Sequence, residues 1–479
     1  MPEKVKLAFV GCGPTTLGGT YRVCELIKEG IIDPRNVEVI VLEKEAVAGG
    51  LARSVTDENG FSWDLGVHVS GTTKYPCFTR AIEEAVTEWN FLRRSVKADM
   101  GHIFGSENNN EITYVPYPVQ QAIPLFPLET RDACMQELYK ISELKFEKSP
   151  KNFFEWTWRA FGDTLLKIFV RPYNKKVWTV DLEEMNSTWV GERVAKIDLK
   201  HLEELSQKDR YELLKDDLGW GPNTWFRYPK TCKGVGHTWE KVQELQPQQW
   251  FKFNKAVVQV LPDQKQVKTI DTETGEESQT CYDHLISTMP ITLLGEMSGL
   301  APNVDTKHSK VVLIGLGLKK PQSPWAQSVS WIYYPSSDLV FYRCTIISNF
   351  NQYMTPDPAK YWSVICEVGM TPDQTVDEEN IVEMTIEGLI KRNLFESAEQ
   401  VVDVFFMVLP FGYPIPTVSR DEELRKAHQV LESNQIYSRG RFGGWKYEVA
   451  NQDHSFAQGY ELVGRILLGE QETVYSTGL

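Results

Sequence analysis

The feature that most constrains this chain is the stretch Lys4 to Tyr21, KVKLAFVGCGPTTLGGTY, in which an apolar run passes directly into closely spaced glycines and then a helix-compatible segment. That succession describes a buried parallel strand, a tight turn and a helix whose first N–H groups face an anion. Val5, Leu7, Ala8, Phe9 and Val10 supply the strand, Gly11 the turn, and Gly13 the point where a pyrophosphate can approach the backbone. Thr16 stands at the third glycine of G-x-G-x-x-G, so a β-branched side chain falls where strand and helix are expected to pack most closely.

The following residues extend the pattern. Val37 to Leu42 is a second apolar strand ending at Glu43, an acid placed to accept the ribose hydroxyls of an adenosine. Its distance from Gly13 exceeds the usual spacing of roughly 20 residues, and the extra turn GIIDPRN takes up the difference. Gly49, Gly50 and Arg53 follow, a glycine pair and a cation able to wrap a diphosphate from its other side.

Charge narrows the partners. The net charge of −14 argues against nucleic acid or an anionic membrane, so an anionic ligand must be held by a local cluster of arginines. With 479 residues and 42% hydrophobic content, the chain can build about three domains with real cores. Eight cysteines without a C-x-x-C pair predict reduced thiols rather than a disulfide frame or structural zinc. No apolar run is long enough to span a bilayer and none precedes a cleavage site, so a soluble cytoplasmic protein is expected. Self-association is left open.

An α/β fold is predicted, with a dinucleotide-binding domain, a helical domain and a twisted antiparallel sheet. The expected boundaries are 1–85, 225–300 and 420–479 for the first, 120–224 for the second, and 86–119 with 301–419 for the third. Helices are expected over Arg80–Trp89 and from an N-cap at Thr130. Between Lys310 and Leu409, β-branched and aromatic runs broken by Gly, Pro and Asp predict strands around one helix, Glu378–Leu394.

Arg193 in WVGERVA and Arg343 in FYRCTIISN lie inside apolar sequence, where an unpaired guanidinium is costly, so each is expected to meet a buried anion. An ion pair with Glu192 or another acid is the alternative. Tyr117, Trp178, Tyr333, Tyr413 and Tyr447 are candidates for stacking a base or holding sugar hydroxyls. His68 joins the two arginines as a candidate for chemistry.

Ten blocks in order, GCGPT, GGLARSVTD, GFSWDLGVHV, YVPYPVQ, RPYNKKVW, WVGERVA, WGPN, FYR, GYPIPT and GRFGGWKYEVANQDHSF, resemble the eukaryotic-type UDP-galactopyranose mutase family across nearly the whole chain. That resemblance implies a nucleotide-sugar isomerase interconverting pyranose and furanose forms, and FAD as cofactor. It places Arg193 and Arg343 on the substrate diphosphate with Tyr333, Tyr413 and Tyr447 as partners. Tyr117, Gln120, Asn174 and Trp178 would frame the base and Asn223 would reach the sugar, while Arg441, Asn451 and Gln452 would face the cofactor.

Four positions depart from the family pattern: Thr16, Val67, Val235 and Ala450 replace its glycines. If close approach or positive φ is needed there, the flavin site has decayed. The expectation drawn from this is a mutase working without flavin, aided by Mg²⁺ or Mn²⁺ on the diphosphate, its ligands unidentified, with Asp64, His68, Asp453 and His454 as candidate neighbours. Its substrate would be UDP-galactose or a GDP-linked deoxyhexose such as GDP-fucose. The competing expectations are an ordinary FAD-dependent mutase, a flavin amine oxidase or desaturase, and a catalytically dead nucleotide-sugar sensor.

Overall fold

In the computed structural model, which describes residues 4–104, 113–191, 193–215 and 224–479, the opening strand β1 (Val5–Val10) lies at the centre of a five-stranded parallel sheet. β2 (Val37–Leu42) flanks it on one side and His284–Ser287 on the other, with Phe251–Lys252 and Ile436–Ser438 at the edges. Burial on both faces explains the nearly continuous apolar strands. Helix α1 (Pro14–Lys28) starts with Pro14 in its first turn, where a missing N–H costs nothing, and ends after Lys28.

The closest packing of α1 falls at Gly18 and Gly19, just past Thr16, and at the Thr15 carbonyl just before it. A Cβ on Gly18 would strike the Phe456 carbonyl, one on Gly459 would strike that of Thr15, and one on Gly19 would lie 2.9 Å from the Phe9 ring. Thr16 is fully buried without standing at these contacts, which corrects the expectation placed on it. Three glycines thus seat the last long helix, Gln452–Leu468, against α1 and β1.

The second large sheet has seven strands, running in space from Val401–Ile415 through Lys307–Lys319, Tyr361–Met370, Arg343–Thr345, Trp331–Tyr333 and Val96–Asp99 to Tyr114–Pro116. It is the expected antiparallel sheet, with one parallel pair where Trp331–Tyr333 runs beside Val96–Asp99. A three-stranded antiparallel meander, Lys255–Asp271 with Glu277–Cys281, stands beside the parallel sheet. Helices Leu128–Glu143, Phe153–Leu165 and Arg171–Trp178 build the middle of the chain.

Two helix starts differ from expectation. Helix Leu128–Glu143 begins after Pro127, leaving Thr130 inside the first turn. The helix expected over Arg80–Trp89 runs from Pro76 to Ala85, because Pro76 fixes the first turn and Trp89–Arg93 pairs as a strand with Trp225–Pro229. Among the described residues no helix is long and apolar enough to cross a membrane.

Candidate active site

Three structural regions converge on one group of aromatic rings. Helix Arg171–Trp178 delivers Tyr173 and Trp178, the seven-stranded sheet delivers Tyr333, Arg343 and Tyr413, and the turn before the last helix delivers Arg441 and Tyr447. Tyr333 and Arg343 are register partners on adjacent strands. Ring centroids lie 4.7 Å apart for Tyr117 and Tyr333, 5.2 Å for Tyr173 and Tyr333, 4.9 Å for Trp178 and Tyr447, and 5.9 Å for Tyr413 and Tyr447. Onto this wall two guanidinium groups are laid: Arg193 sits 5.1 Å from the Tyr447 ring and Arg441 5.0 Å from that of Tyr413.

The charges here are unequally matched. Arg343 donates through Nε and Nη2 to the carboxylate of Glu367 at 2.7 and 2.6 Å, and Tyr342 Oη donates to the same group at 2.7 Å. Arg343 therefore has an acid partner, the alternative that the sequence left open for it. Glu192 lies outside the described residues. Arg193 donates to the carbonyls of Tyr447 and Glu448 and to Asn451 Oδ1 at 2.8 Å, while Arg441 donates to the Gly412 carbonyl at 2.9 Å. Among the described residues neither meets a carboxylate, since Glu448 gives its own to Arg420. Burial depresses the pKa of Arg441, and two guanidinium groups laid on tyrosine faces without a carboxylate are able to take up an anion.

His68 faces the same region. Burial first, then Arg441 and Arg343, lower its pKa to about 3, so the ring is neutral, and its buried Nδ1 has no partner. Gln452 Nε2 donates to the His68 carbonyl at 3.1 Å, and its Oε1 accepts from Trp239.

Other expected residues are partly occupied within the protein. Asn174 donates to the Val170 carbonyl at 2.7 Å and accepts from Trp178 Nε1 at 3.0 Å, and Gln120 donates to the Ala195 carbonyl at 2.6 Å. Asn451 gives its side chain to Arg193 instead of capping the helix it precedes. Asn223 lies outside the described residues. Sequence reasoning missed Tyr173 and Glu367. Glu367 carried a signal, a lone acid inside the apolar strand YWSVICEVGM, whereas Tyr173 beside Asn174 carried none beyond its aromatic type.

The dinucleotide cradle can be tested against its residues. Gly11 has φ +92°, and a Cβ there would strike Thr288 Oγ1; a Cβ on Gly50 would lie 3.2 Å from the Gly13 Cα. The two glycine turns thus face each other at the start of α1, whose first turn carries no acid and whose N-cap makes no side-chain bond. Arg53 pairs with Glu45 at 2.7 Å and keeps a buried Nε without a partner. Glu43 is held by the N–H groups of Cys12 and Glu45 at 2.5 and 2.9 Å, which uses part of its capacity to accept, and burial raises its pKa. These residues fit a flavin dinucleotide: an open helix N-terminus, backbone kept bare on two sides and an arginine with a free buried donor.

The positive-φ ground for a decayed flavin site does not hold in the structure. None of Thr16, Val67, Val235 and Ala450 has positive φ; the left-handed positions near two of them belong to Gly66 and Gly234. Val235 is buried among apolar side chains and donates its N–H to Asp64 at 3.0 Å. Val67 packs against the same apolar cluster, and Ala450 closes a short helical turn at φ −113°.

The metal-assisted reading fares no better. Asp64 is consumed by Ser54, Tyr228 and Val235, and Asp453 by Thr73 and His454. Among the described residues no group of three or more His, Cys, Asp or Glu side chains could hold an ion.

Comparison with known proteins agrees with this cradle. Residues 32–315 match the family described as flavin containing amine oxidoreductase. A crystal structure of reduced UDP-galactopyranose mutase superposes with a TM-score of 0.86 at 35% identity, covering 98% of this chain and 96% of that one. The putative protoporphyrinogen oxidase from Exiguobacterium sp. 255-15, with TM-score 0.68, 14% identity and coverage of 98% and 100%, shares the fold. So does the CLA-producing fatty acid isomerase from P. acnes, with TM-score 0.58, 14% identity and the same coverage. A flavin-type cradle, an arginine and tyrosine wall beside it, and a 35% identical relative matched over nearly its whole length place the chain in the flavin containing amine oxidoreductase family, among the UDP-galactopyranose mutases.

Proposed function

We propose that this protein is an FAD-dependent mutase that interconverts the pyranose and furanose forms of a UDP-linked hexose of the galactose class. The observation that carries the reading is the pairing of two half-buried guanidinium groups, Arg193 and Arg441, with tyrosine faces rather than carboxylates. Such a wall lacks an anion, and a nucleoside diphosphate supplies one. The FAD-dependent form is preferred to a flavin-independent, metal-assisted one because the glycine cradle and Arg53 fit a flavin dinucleotide and the four substituted positions carry no backbone demand for glycine.

In this reading Arg193 and Arg343 hold the diphosphate and stabilise the charge that develops as the anomeric bond breaks. Glu367 keeps the Arg343 fork aimed. Tyr333, Tyr413 and Tyr447 supply hydroxyls to the same oxygens, and Tyr173 and Trp178 give the base an aromatic bed. Gly11, Gly13, Glu43, Gly49, Gly50 and Arg53 hold the cofactor's nucleotide half, with Arg441, Asn451 and Gln452 toward its ring. Reduced FAD, when bound, supplies a nucleophile for the anomeric carbon. His68, neutral and with an open ring nitrogen, takes or gives a hydrogen bond without adding charge.

Purified protein is expected to be yellow, to require a reductant for turnover, and to convert UDP-galactopyranose to the furanose in the presence of a chelator. Arg193→Ala should lower kcat/KM by about 10²-fold or more. A colourless protein that turns over without reductant and stops with chelator would overturn the FAD-dependent reading. A thermal-shift screen of UDP against GDP tests the nucleotide, since a ligand at 100 times its Kd adds about 2.7 kcal/mol; stabilisation by GDP alone would reassign the substrate to a GDP-linked sugar.

A further inference from the structure

Lys176 points away from solvent into the loop between the two site strands, Trp331–Tyr333 and Arg343–Thr345. Its ammonium donates to three backbone carbonyls, those of Tyr334 at 2.8 Å, Ser336 at 3.0 Å and Phe341 at 2.5 Å. Three convergent carbonyls match the three N–H donors of a lysine ammonium. Burial pulls the amine's pKa down to about 7, against Asp338 and Asp99 which raise it, so this placement is costly and must be compensated by the bonds it makes.

The loop is held from outside as well, because Asp338 accepts from Lys391 at 2.7 Å and from Arg392 at 3.0 Å. Lys391 and Arg392 thus hold the loop's outer side and Lys176 its inner side. Its own helix carries Tyr173, Asn174 and Trp178, while the loop's two ends carry Tyr333 and Arg343. A Cβ on Gly369, in the neighbouring strand, would strike the Lys176 carbonyl, so helix and sheet approach as nearly as backbones can.

We propose that Lys176 is a positioning residue that locks the base-side helix to the diphosphate-side strands, setting the distance between the Tyr173 and Trp178 bed and the Arg343 fork. The inference rests on reading this pocket as a nucleotide-sugar site.

The test is titration of UDP into FAD-loaded full-length protein. Lys176→Met keeps the stem and removes the donors; its Kd for UDP should rise tenfold or more, with kcat/KM falling in step, while amide exchange quickens over residues 331–345 and not in β1. Lys175→Met is the control, since Lys175 is exposed and paired with Asp181 at 2.8 Å; it should bind as wild type does. A UDP Kd within twofold of wild type in Lys176→Met, or faster exchange in β1 as well, overturns the proposal. Should that variant fail to fold, Lys176→Arg decides: its planar fork cannot meet three convergent carbonyls, so a threefold or greater weakening supports the proposal and a smaller change overturns it. Wild type that binds no UDP would sink the reading of the site, whereas wild type that binds while the variants are unaffected sinks only the role of Lys176.

Discussion

Arg439 and Arg441 stand two residues apart, the first fully buried and the second half-buried, and their surroundings are opposite. Arg439 donates to Glu472 at 2.7 and 2.8 Å and to Glu432 at 2.8 Å, and these carboxylates hold its pKa above the ordinary arginine value. Arg441 meets a carbonyl and the faces of Tyr413 and Tyr447, and burial holds its pKa below that value. Arg439, matched by two carboxylates, serves the fold; Arg441, which meets no carboxylate among the described residues, is left to a ligand. Between them Gly440, at φ +90°, turns the chain so that successive arginines face different interiors.

The comparison is broken most severely at its structural member. Arg439→Ala should strip the cation from two buried carboxylates and cost about 3–5 kcal/mol in denaturant unfolding, with activity per folded molecule retained. If stability falls by less than about 1 kcal/mol, the matched-charge reading of Arg439 is wrong. Arg441→Ala should do the converse, lowering turnover by about 10²-fold or about 2.7 kcal/mol of transition-state stabilisation, with a Tm at or above that of wild type. A large drop in Tm with normal turnover would exchange the two roles.

Acid titration sharpens the same contrast through His68, which faces Arg441 and Arg343. Its folded pKa of about 3 lies below its value of 6.5 in the unfolded chain. Its contribution to stability is therefore present above pH 6.5 and is lost as pH falls toward 3, because only the unfolded chain takes up the proton. His68→Asn should flatten the stability profile in that window. An unchanged acid limb would mean that the imidazole protonates in place. The smallest effect is expected at Val67. Val67→Gly should change flavin content less than twofold, because the backbone there has no positive φ for a glycine to relieve. A severalfold gain in bound flavin would restore the argument for a degenerate cofactor site.

Much of the fold was legible in the residues because local pattern and burial agree. β1 and β2 were expected as they stand, since a parallel sheet covered on both faces demands uninterrupted apolar strands. The site was legible as residue types: Arg193, Arg343, Tyr333, Tyr413 and Tyr447, scattered over some 250 positions, meet around Trp178. The partner of each charge was not. Glu367 lies 24 residues from Arg343, and only strand register sets them opposite one another.

The four substituted glycines teach the same lesson from the other side. From sequence, Thr16, Val67, Val235 and Ala450 looked like losses at one ligand, because glycine is required where φ is positive or backbones touch. Neither condition is a property of the residue; both belong to the path of the chain, which puts positive φ at Gly66 and Gly234 and the closest helix contacts at Gly18 and Gly459. Sequence by itself determined the strand, turn and helix that open the chain, the aromatic and arginine composition of the wall, and the block order that joins it to its family. Tertiary structure alone decided which arginines are matched and which stand open, because compensation of a buried charge depends on distances of a few ångströms between segments that the sequence keeps far apart.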